Sequence, residues 1–312
     1  MKTYLLDMLI CPACLPEEHR LRETLIAGDR DDIGTGMLTC GHCGRDYPIQ
    51  DGVAFLDPTS SDAAMTGNRY ETPSVLASYL WSHYGDLLGD AEASDAYTRW
   101  AGLMTAHSGV CLDVGSAVGR FSFEMAKKCD FVVGIDNSVS FIRASRELMI
   151  RRRAAFELAE EGTLTKPATL LLPEDCRTDN IEFIVGNALA LPFRTGIFSS
   201  VSSLNIVDKV PAPLTHLKEN NRVAQQKNTQ FLFSDPFSWS LDAAAPENWL
   251  GGTQSGVFSG RAKDNVIDLL KGRADIILPP WHVVDHGHVW WKIRTHSNHF
   301  ELIRSCFIKA AR

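Results

Sequence analysis

The sequence lacks any apolar run of the length that a membrane-spanning helix needs, and it lacks an excess of positive charge. A helix that crosses a bilayer takes about 20 mostly apolar residues in a row, so we expect no membrane partner. The chain has 38 acidic and 31 basic residues and a formal net charge of −7. Proteins that neutralise nucleic-acid phosphates carry the opposite balance, which argues against a nucleic-acid partner.

A secretory leader is not visible either. The apolar run over Leu5–Ile10 is broken by Asp7, and no small-residue cleavage site follows it. Such a segment does not have the pattern of a signal peptide. We therefore expect a cytoplasmic protein, in which paired cysteines indicate a metal more often than a disulfide.

The 312 residues are 45% hydrophobic, which is typical of a globular chain. A polar segment without periodicity, Asp57–Ala64, separates a cysteine-rich beginning from the rest. We read it as a linker. The predicted domains are a small module over residues 1–61 and a large domain over residues 62–312.

In the large domain, short apolar runs alternate with helical patterns. Two helices are predicted between Tyr70 and Trp100. The strand candidates are Val110–Val114, Phe131–Ile135, Ile181–Val185, Phe198–Leu204, Thr229–Ser234, Val289–Arg294 and Leu302–Ala310. The helical candidates among them are Arg120–Lys128, Ser140–Glu160 and Ala212–Ala224. Such alternation predicts an α/β fold with a mostly parallel sheet covered on both faces, and the last two runs predict an antiparallel hairpin at its edge.

The first 43 residues contain two CxxC pairs with 25 residues between them. The four thiols are Cys11, Cys14, Cys40 and Cys43. Two such pairs can surround one Zn²⁺ tetrahedrally, leaving no open position, so the site would be structural. A bound metal would also stabilise a module too small to have a large core. Unligated cysteines or a redox pair are the alternatives.

The same region resembles a known family. The two CxxC pairs are followed by Tyr47–Val53, which reads Y-P-I-x-D-G-hydrophobic. This combination is similar to the small zinc-ribbon proteins that bind and activate RNA and protein methyltransferases. The resemblance covers about 55 residues, here joined to a second domain in one chain.

A small-residue turn follows the first strand of the large domain. Val110–Arg120 reads as a buried strand, a turn with Gly115 and Gly119, and the start of a helix. Ligands of nucleotide type bind at such a crevice, beyond the carboxyl ends of parallel strands. Asp136 follows at the end of the next strand, where a carboxylate can accept hydrogen bonds from ribose hydroxyls.

Three motifs in order resemble class I S-adenosylmethionine-dependent methyltransferases. They are D-V-G-x-x-x-G-R at Asp113–Arg120, G-I-D-x-S at Gly134–Ser138 and G-N-A-L-A-L-P-F at Gly186–Phe193. The resemblance implies a Rossmann-like seven-stranded sheet, with S-adenosylmethionine as cofactor. The cofactor-binding residues that it implies are Asp113, Gly115, Ala117, Gly119, Asp136, Asn187 and Ala188. Ala117 stands where glycine is common in this family, and Asn187 stands where aspartate is common.

Further segments resemble one branch of that superfamily, the methyltransferase part of the ovothiol-synthesis enzymes. They are Tyr70–Pro73, Tyr79–Gly85, Ser203–Val210, Ser234–Trp239 and Pro246–Gly252. The resemblance implies a small-molecule substrate, the imidazole nitrogen of a thiohistidine-like amino acid. The iron oxygenase domain of those enzymes is absent from this sequence.

Asn205 and Asp208 follow the fourth strand, where the acceptor reaches the methyl group, and we predict them as catalytic. Asp208 would pair with the ammonium group of an amino acid, and Lys209 or Arg294 with its carboxylate. The predicted substrate contacts are Tyr84, Asn248 and Trp249. The insertion between residues 236 and 280 contains tryptophans that could form an apolar lid.

Two other functions stay open at this stage. One is an RNA or protein methyltransferase whose zinc ribbon holds a macromolecule. The other is a non-catalytic S-adenosylmethionine-binding regulator, because Asn221–Thr229 lacks the Pro-Gly-Gly turn of many methyltransferases. The sequence does not indicate an oligomeric state.

Overall fold

The structure is a computed structural model that describes residues 1–28, 31–59 and 69–312. The strands are β1 Leu21–Gly28, β2 Ile33–Cys40, β3 Asp46–Gln50, β4 Val53–Leu56, β5 Val110–Val114, β6 Phe131–Asp136, β7 Arg153–Glu161, β8 Leu164–Leu171, β9 Ile181–Gly186, β10 Ser200–Leu204, β11 Gln230–Asp235, β12 His282–His296 and β13 His299–Ala311. The helices are α1 Pro73–Tyr84, α2 Ala96–Leu103, α3 Arg120–Ala126, α4 Val139–Arg151, α5 Pro213–Val223 and α6 Ala262–Leu270. None of the described helices is long and apolar enough to cross a membrane.

Seven strands of the large domain form one sheet in the order β9-β6-β5-β10-β11-β13-β12. The first five are parallel. Helices α3, α4 and α5 lie in three of the connections between them, as parallel pairing commonly requires. Strands β12 and β13 form an antiparallel hairpin, and β13 pairs antiparallel with β11. The predicted Rossmann-like α/β fold with its edge hairpin is confirmed.

The N-terminal module, here residues 1–59, adds four strands to the same sheet. Strands β1 to β4 pair antiparallel, and β4 then pairs parallel with β9 through Phe55 and Leu56. A second connection lies outside the strands, where the Ile10 amide donates to the Pro192 carbonyl at 3.0 Å. The predicted domain boundary between residues 61 and 62 lies outside the described residues, and the division stays a prediction.

The hydrophobic core continues from the module into the large domain. Leu9 and Ile49 of the module are buried in the same cluster as Leu191 and Phe193 of the large domain. A second cluster covers the other face of the sheet and packs α1, α2 and α3 against it. The two regions therefore form one sheet and share a hydrophobic core.

One predicted helix is wrong in its second half. Helix α4 ends at Arg151, and Arg152 takes a left-handed conformation with φ 57°. The chain then enters the hairpin β7–β8, which turns at Gly162 with φ 59°. The Glu- and Ala-rich sequence has high helix propensity, but Arg294 on β12 forms an ion pair with Glu160 at 2.5 Å and connects the hairpin to the main sheet.

The segment around Gly287 is the middle of β12. Glycine is needed there because a Cβ atom would lie 2.7 Å from the ring of Phe307 on the paired strand. A glycine inside a strand commonly marks such a close approach. Pro279 and Pro280 precede the strand and do not interrupt it.

Candidate functional site

A cavity of about 800 Å³ opens at the carboxyl ends of β5, β6, β9 and β10. Residues from the strand ends line one side of it, and side chains of α1, α2 and β12 line another. The N-terminal module contributes part of the wall through β3, β4 and the residues that follow β4. The sequence analysis did not foresee a contribution of the module to this cavity.

Asp113, at the end of β5, lines the cavity and is almost completely buried. Its two carboxylate oxygens accept hydrogen bonds from Ser122 Oγ at 2.6 Å and from Ser202 Oγ at 2.9 Å. These bonds fix the orientation of the carboxylate. Burial raises the pKa of Asp113 to about 6, since it disfavours the charged form.

The turn after β5 needs glycine at Gly115. Its φ is +74°, and a Cβ atom there would lie 2.7 Å from Ile206 Cδ1. Ala117 also has positive φ, 46°, which explains why glycine is common at this position. Both residues line the cavity, whereas Gly119 does not. Gly119 starts α3 and is packed against the Phe183 ring, so the structure gives it a packing role.

Asp136, at the end of β6, is held by the backbone on both sides. Its Oδ2 accepts a hydrogen bond from the Ala117 amide and its Oδ1 accepts one from the Ser138 amide, each at 2.9 Å. A carboxylate has further lone pairs and can still accept from two hydroxyls. Burial raises the pKa of Asp136 to about 6.

Asn187 and Ala188 follow β9 and line the same cavity. Asn187 Oδ1 accepts a hydrogen bond from the Leu189 amide at 2.9 Å. Its Nδ2 lies 3.4 Å from Asp57 Oδ1, in the segment that follows β4. The part of the cavity wall around Asn187 is therefore formed by both parts of the chain.

This set of residues fits S-adenosylmethionine. Two buried carboxylates suit a ligand with an ammonium group, a sulfonium centre and ribose hydroxyls. The left-handed turn at Gly115 and Ala117 lets the backbone come close to the ligand.

Asn205 lines the cavity directly after β10, with φ 59°. Its Oδ1 accepts a hydrogen bond from Ser305 Oγ at 2.6 Å, and Ser305 Oγ accepts one from Trp291 Nε1 at 2.9 Å. Because the serine oxygen already accepts from tryptophan, its proton is available for the asparagine oxygen. This arrangement leaves the Asn205 amide group, a double donor, available to a ligand.

Asp208 does not line the cavity and is 1% exposed. Its Oδ2 accepts from the Ser238 amide at 2.7 Å and lies 3.1 Å from Lys209 Nζ. Burial raises the pKa of Asp208, and it also raises the pKa of the buried Asp235 beside it. Asp208 therefore does not reach an acceptor in this cavity, whereas Lys209 lines it. Arg294, bonded to Glu160, does not line it either.

The three predicted substrate contacts lie elsewhere. Tyr84 is completely buried, and its hydroxyl donates to the Val118 carbonyl at 2.7 Å. Asn248 is exposed, and the Trp249 indole donates to the Ala244 carbonyl at 2.9 Å. No residue between 236 and 280, all of which are described, lines the cavity, so the insertion is not a lid in this structure.

The sequence analysis missed most of the aromatic wall of the cavity. The wall includes Tyr79, His83, Tyr97 and Trp291. Tyr79 and His83 are one helical turn apart, and that spacing is a signal for a shared face. The spacing alone does not distinguish a cavity wall from ordinary packing.

The four cysteines of the module meet in one cluster. Their sulfur atoms all lie within 4.8 Å of one another. The Cys11–Cys43 and Cys14–Cys40 sulfur distances are 3.7 and 3.8 Å. A tetrahedron with Zn–S bonds of about 2.3 Å has edges of about 3.8 Å. The cluster therefore fits a tetrahedral metal ion, and within the described residues it is the one group of this kind.

Comparisons with known proteins match each part of the chain separately. Residues 2–52 match the family model of the Trm112p-like proteins, and residues 112–230 match the model of a methyltransferase domain. No curated protein matches the chain. The predicted S-adenosylmethionine-dependent methyltransferase is confirmed by the second match.

Several solved structures are similar at low identity. An S-adenosylmethionine-dependent methyltransferase from Methanosarcina mazei is 19% identical, with 70% of this chain and 96% of that chain covered and a TM-score of 0.42. One from Aquifex aeolicus is 13% identical, with 80% and 98% covered and a TM-score of 0.40. A complex of the Haloferax volcanii Trm112 methyltransferase activator with a methyltransferase is 13% identical. It covers 75% of this chain and 96% of that chain, with a TM-score of 0.44. These likenesses say nothing about the substrate.

Proposed function

We propose that this enzyme transfers a methyl group from S-adenosylmethionine to a small polar acceptor, the imidazole nitrogen of a thiohistidine-like amino acid. The observation that carries the proposal is that two kinds of residue line one cavity. Asp113, Gly115, Asp136 and Asn187 lie at or after strand ends, and we assign them to a cofactor end. We assign side chains of α1, α2 and β12, together with Asn205, to an acceptor end.

The size of the cavity supports a small acceptor. Pockets for single small ligands measure about 300–1,000 Å³, and about 800 Å³ leaves room for an amino acid beside the cofactor. Tyr97 and Trp291 on the acceptor side are buried, so this end is screened from water. Methyl transfer gains most of its acceleration from orientation and exclusion of water.

The cofactor supplies an electrophilic methyl group on a sulfonium. The residues of this chain would bind and orient the reactants. Asp113 and Asp136 would hold the cofactor, and the Asn205 amide would donate a hydrogen bond to the acceptor. Lys209 is a cation in the cavity wall that would pair with a carboxylate.

We also propose that the metal of the cysteine cluster is Zn²⁺ and that its role is structural. Four thiolates leave no open position for a substrate. Tyr47 hydrogen-bonds Cys11 Sγ at 3.3 Å and lines the cavity, so the metal would stabilise one wall of the site. Thiols arranged for a metal also favour the reducing cytoplasm.

A macromolecular acceptor is the second candidate, favoured by the Trm112p-like match over residues 2–52. Arg45 and Asp46 of the module are exposed and line the cavity, so they could contact an RNA or protein at its mouth. The net charge of −7 opposes RNA.

The deciding experiment follows a labelled methyl group from S-adenosylmethionine into three purified acceptors: ring-thiolated histidine, histidine itself as the matched control, and total RNA. We expect label in the thiolated histidine and much less in histidine. Label in RNA alone would replace the small-molecule proposal by the second candidate.

A further inference from the structure

Asp57 brings a carboxylate from the N-terminal module into the wall of the cavity. It directly follows β4 and is the first residue of the polar segment that the sequence analysis read as a linker. The residue is half-buried and lines the cavity. A carboxylate in this position suits a ligand that donates hydrogen bonds.

Hydrogen bonds within the module orient the Asp57 carboxylate. Its Oδ1 accepts from the Thr59 amide at 2.8 Å and from the Thr59 hydroxyl at 2.7 Å. The Arg45 guanidinium on β3 donates to the Pro58 carbonyl and so connects this segment to the sheet. The carboxylate is therefore held in place, and about four lone-pair sites let such a group serve several donors at once.

Asn187, which follows the neighbouring strand β9, is oriented as a donor in this part of the wall. Its Oδ1 accepts from the Leu189 amide at 2.9 Å, and its Nδ2 lies 3.4 Å from Asp57 Oδ1. Exchanging the two amide atoms would bring an oxygen against the carboxylate, so the observed orientation is the favourable one. The carboxylate of Asp57 is therefore the stronger acceptor here.

The order of the strands indicates which part of the cofactor meets Asp57. Five parallel strands follow one another across the sheet as β4, β9, β6, β5 and β10. The polar residues at or just after their carboxyl ends are, in the same order, Asp57, Asn187, Asp136, Asp113 and Asn205. S-adenosylmethionine has its adenine and its sulfonium on opposite sides of the ribose. With the ribose at Asp136 and the methyl group toward Asn205, the adenine extends toward β9 and β4.

The polar groups at this place match the edge of an adenine base. Adenine presents an amino group, which donates, beside a ring nitrogen, which accepts. Asp57 is an acceptor for the amino group. Ala188 lines the cavity, and its amide makes no hydrogen bond with a described residue, so it is a donor for the ring nitrogen. A purine with an oxo group reverses this pattern and brings its oxygen against the carboxylate.

We propose that Asp57 accepts a hydrogen bond from the adenine amino group of S-adenosylmethionine, so that the N-terminal module selects the base of the cofactor. This role rests on the cofactor end proposed above, and it does not depend on which acceptor is methylated. The module then contributes a cofactor-binding side chain of its own, in addition to the wall that its metal cluster supports.

Calorimetry on the full chain tests this role with three ligands. They are S-adenosylhomocysteine, its analogue with hydrogen in place of the adenine amino group, and its analogue with an oxo group there. The proteins compared are the parent, Asp57→Ala, Asp57→Asn and the control Glu23→Ala. Glu23 is an exposed acid on β1 of the same module and does not line the cavity.

We expect the parent to bind S-adenosylhomocysteine roughly 10- to 100-fold more tightly than the amino-free analogue, the range for a hydrogen bond to a charged group. Asp57→Ala should lose this factor on S-adenosylhomocysteine and bind the amino-free analogue as the parent does. Asp57→Asn should bind the oxo analogue more tightly than the parent does, because an amide can donate to the oxo group. Structural damage cannot produce such a gain. The control should match the parent with every ligand.

Equal affinity of the parent for S-adenosylhomocysteine and the amino-free analogue would overturn the proposal, and this result needs no variant. Equal losses on both ligands in Asp57→Ala would overturn it too, since Asp57 would then be a structural residue. If Asp57→Ala does not fold, an Asp57→Asn variant that gains nothing on the oxo analogue overturns it. Intact selection of the base without methylation of thiolated histidine would overturn only the proposed acceptor.

Discussion

The two ends of the cavity are constructed differently. The proposed cofactor end consists of residues at or directly after the ends of β5, β6 and β9, where two carboxylates and the backbone of a tight turn line the cavity. The acceptor end combines side chains from α1, α2, β10 and β12, which are far apart in the sequence. A compact motif can therefore reveal the first end, whereas only the fold reveals the second.

The largest effect should come from filling the turn at the cofactor end. Gly115→Val puts a branched side chain at φ +74°, within 2.7 Å of Ile206, and we expect cofactor binding to be lost. Gly162→Val is the matched control, because φ is +59° and nothing lies within 4 Å. Calorimetry with S-adenosylhomocysteine measures both; equal affinities would show that the turn does not touch the cofactor.

Metal removal should have the next largest effect on cofactor binding, because we expect it to unfold one wall of the cavity. Cys40→Ser should have the same effect as removing the metal, because Tyr47 contacts Cys11 and also lines the cavity. Reordering a segment on binding costs about 2–5 kcal/mol, and we expect that loss in cofactor affinity. Cys306→Ser, on β13, is the control. Unchanged affinity in metal-free protein would show that the wall folds without metal.

The two carboxylates should make cofactor binding depend on pH. Burial raises the pKa of Asp113 and of Asp136 to about 6, and only the ionised forms attract the cationic cofactor. Affinity should therefore be full above pH 6 and fall as the pH drops through 6. Asp136→Ala should cost about 1.5–3 kcal/mol and flatten this dependence, while Asp130→Ala, just before β6, should keep it. A pH-independent titration in the parent would contradict the assignment.

At the acceptor end, Ser305→Ala should change turnover without changing cofactor affinity. It removes the hydrogen bond that orients Asn205, worth about 0.5–1.5 kcal/mol, so kcat should fall roughly 2- to 10-fold. Ser297→Ala, in the turn of the same hairpin, is the matched control. Equal losses of turnover and affinity in Ser305→Ala would mean that the two ends are not separate.

The smallest effect should come from Asp208→Asn. The carboxylate is buried beside Lys209 and Asp235 and does not line the cavity. We expect transfer rates within roughly twofold of the parent, with a change mainly in thermal stability, because the variant removes one of two neighbouring buried acids. A large fall in kcat at unchanged stability would return Asp208 to the catalytic residues.

The same contrast explains how far the sequence could predict this molecule. Asp113, Gly115 and Asp136 each stand within a few residues of a strand end, so strand prediction alone places them together. Tyr84 and His83 are neighbours in sequence, yet one bonds the Val118 carbonyl in the core and the other lines the cavity. The orientation of α1 decides which of the two side chains faces the cavity, and a single sequence does not contain that information.

Tertiary contacts also overruled local preference in two places. The helical pattern continues past Arg151, but the Arg294–Glu160 ion pair accompanies a β-hairpin there. The polar linker after residue 56 concealed that β4 pairs with β9 and that the module lines the cofactor cavity. Pairing between distant strands depends on register and edge exposure, which local patterns do not specify.

The most direct measurement is a crystal structure with S-adenosylhomocysteine and ring-thiolated histidine bound together. We expect the cofactor along Asp113, Gly115 and Asp136, and the imidazole ring beside Asn205, with one ring nitrogen facing the cofactor sulfur. An acceptor bound outside the cavity, or at the exposed surface of the N-terminal module, would contradict the division of this cavity into a cofactor end and an acceptor end.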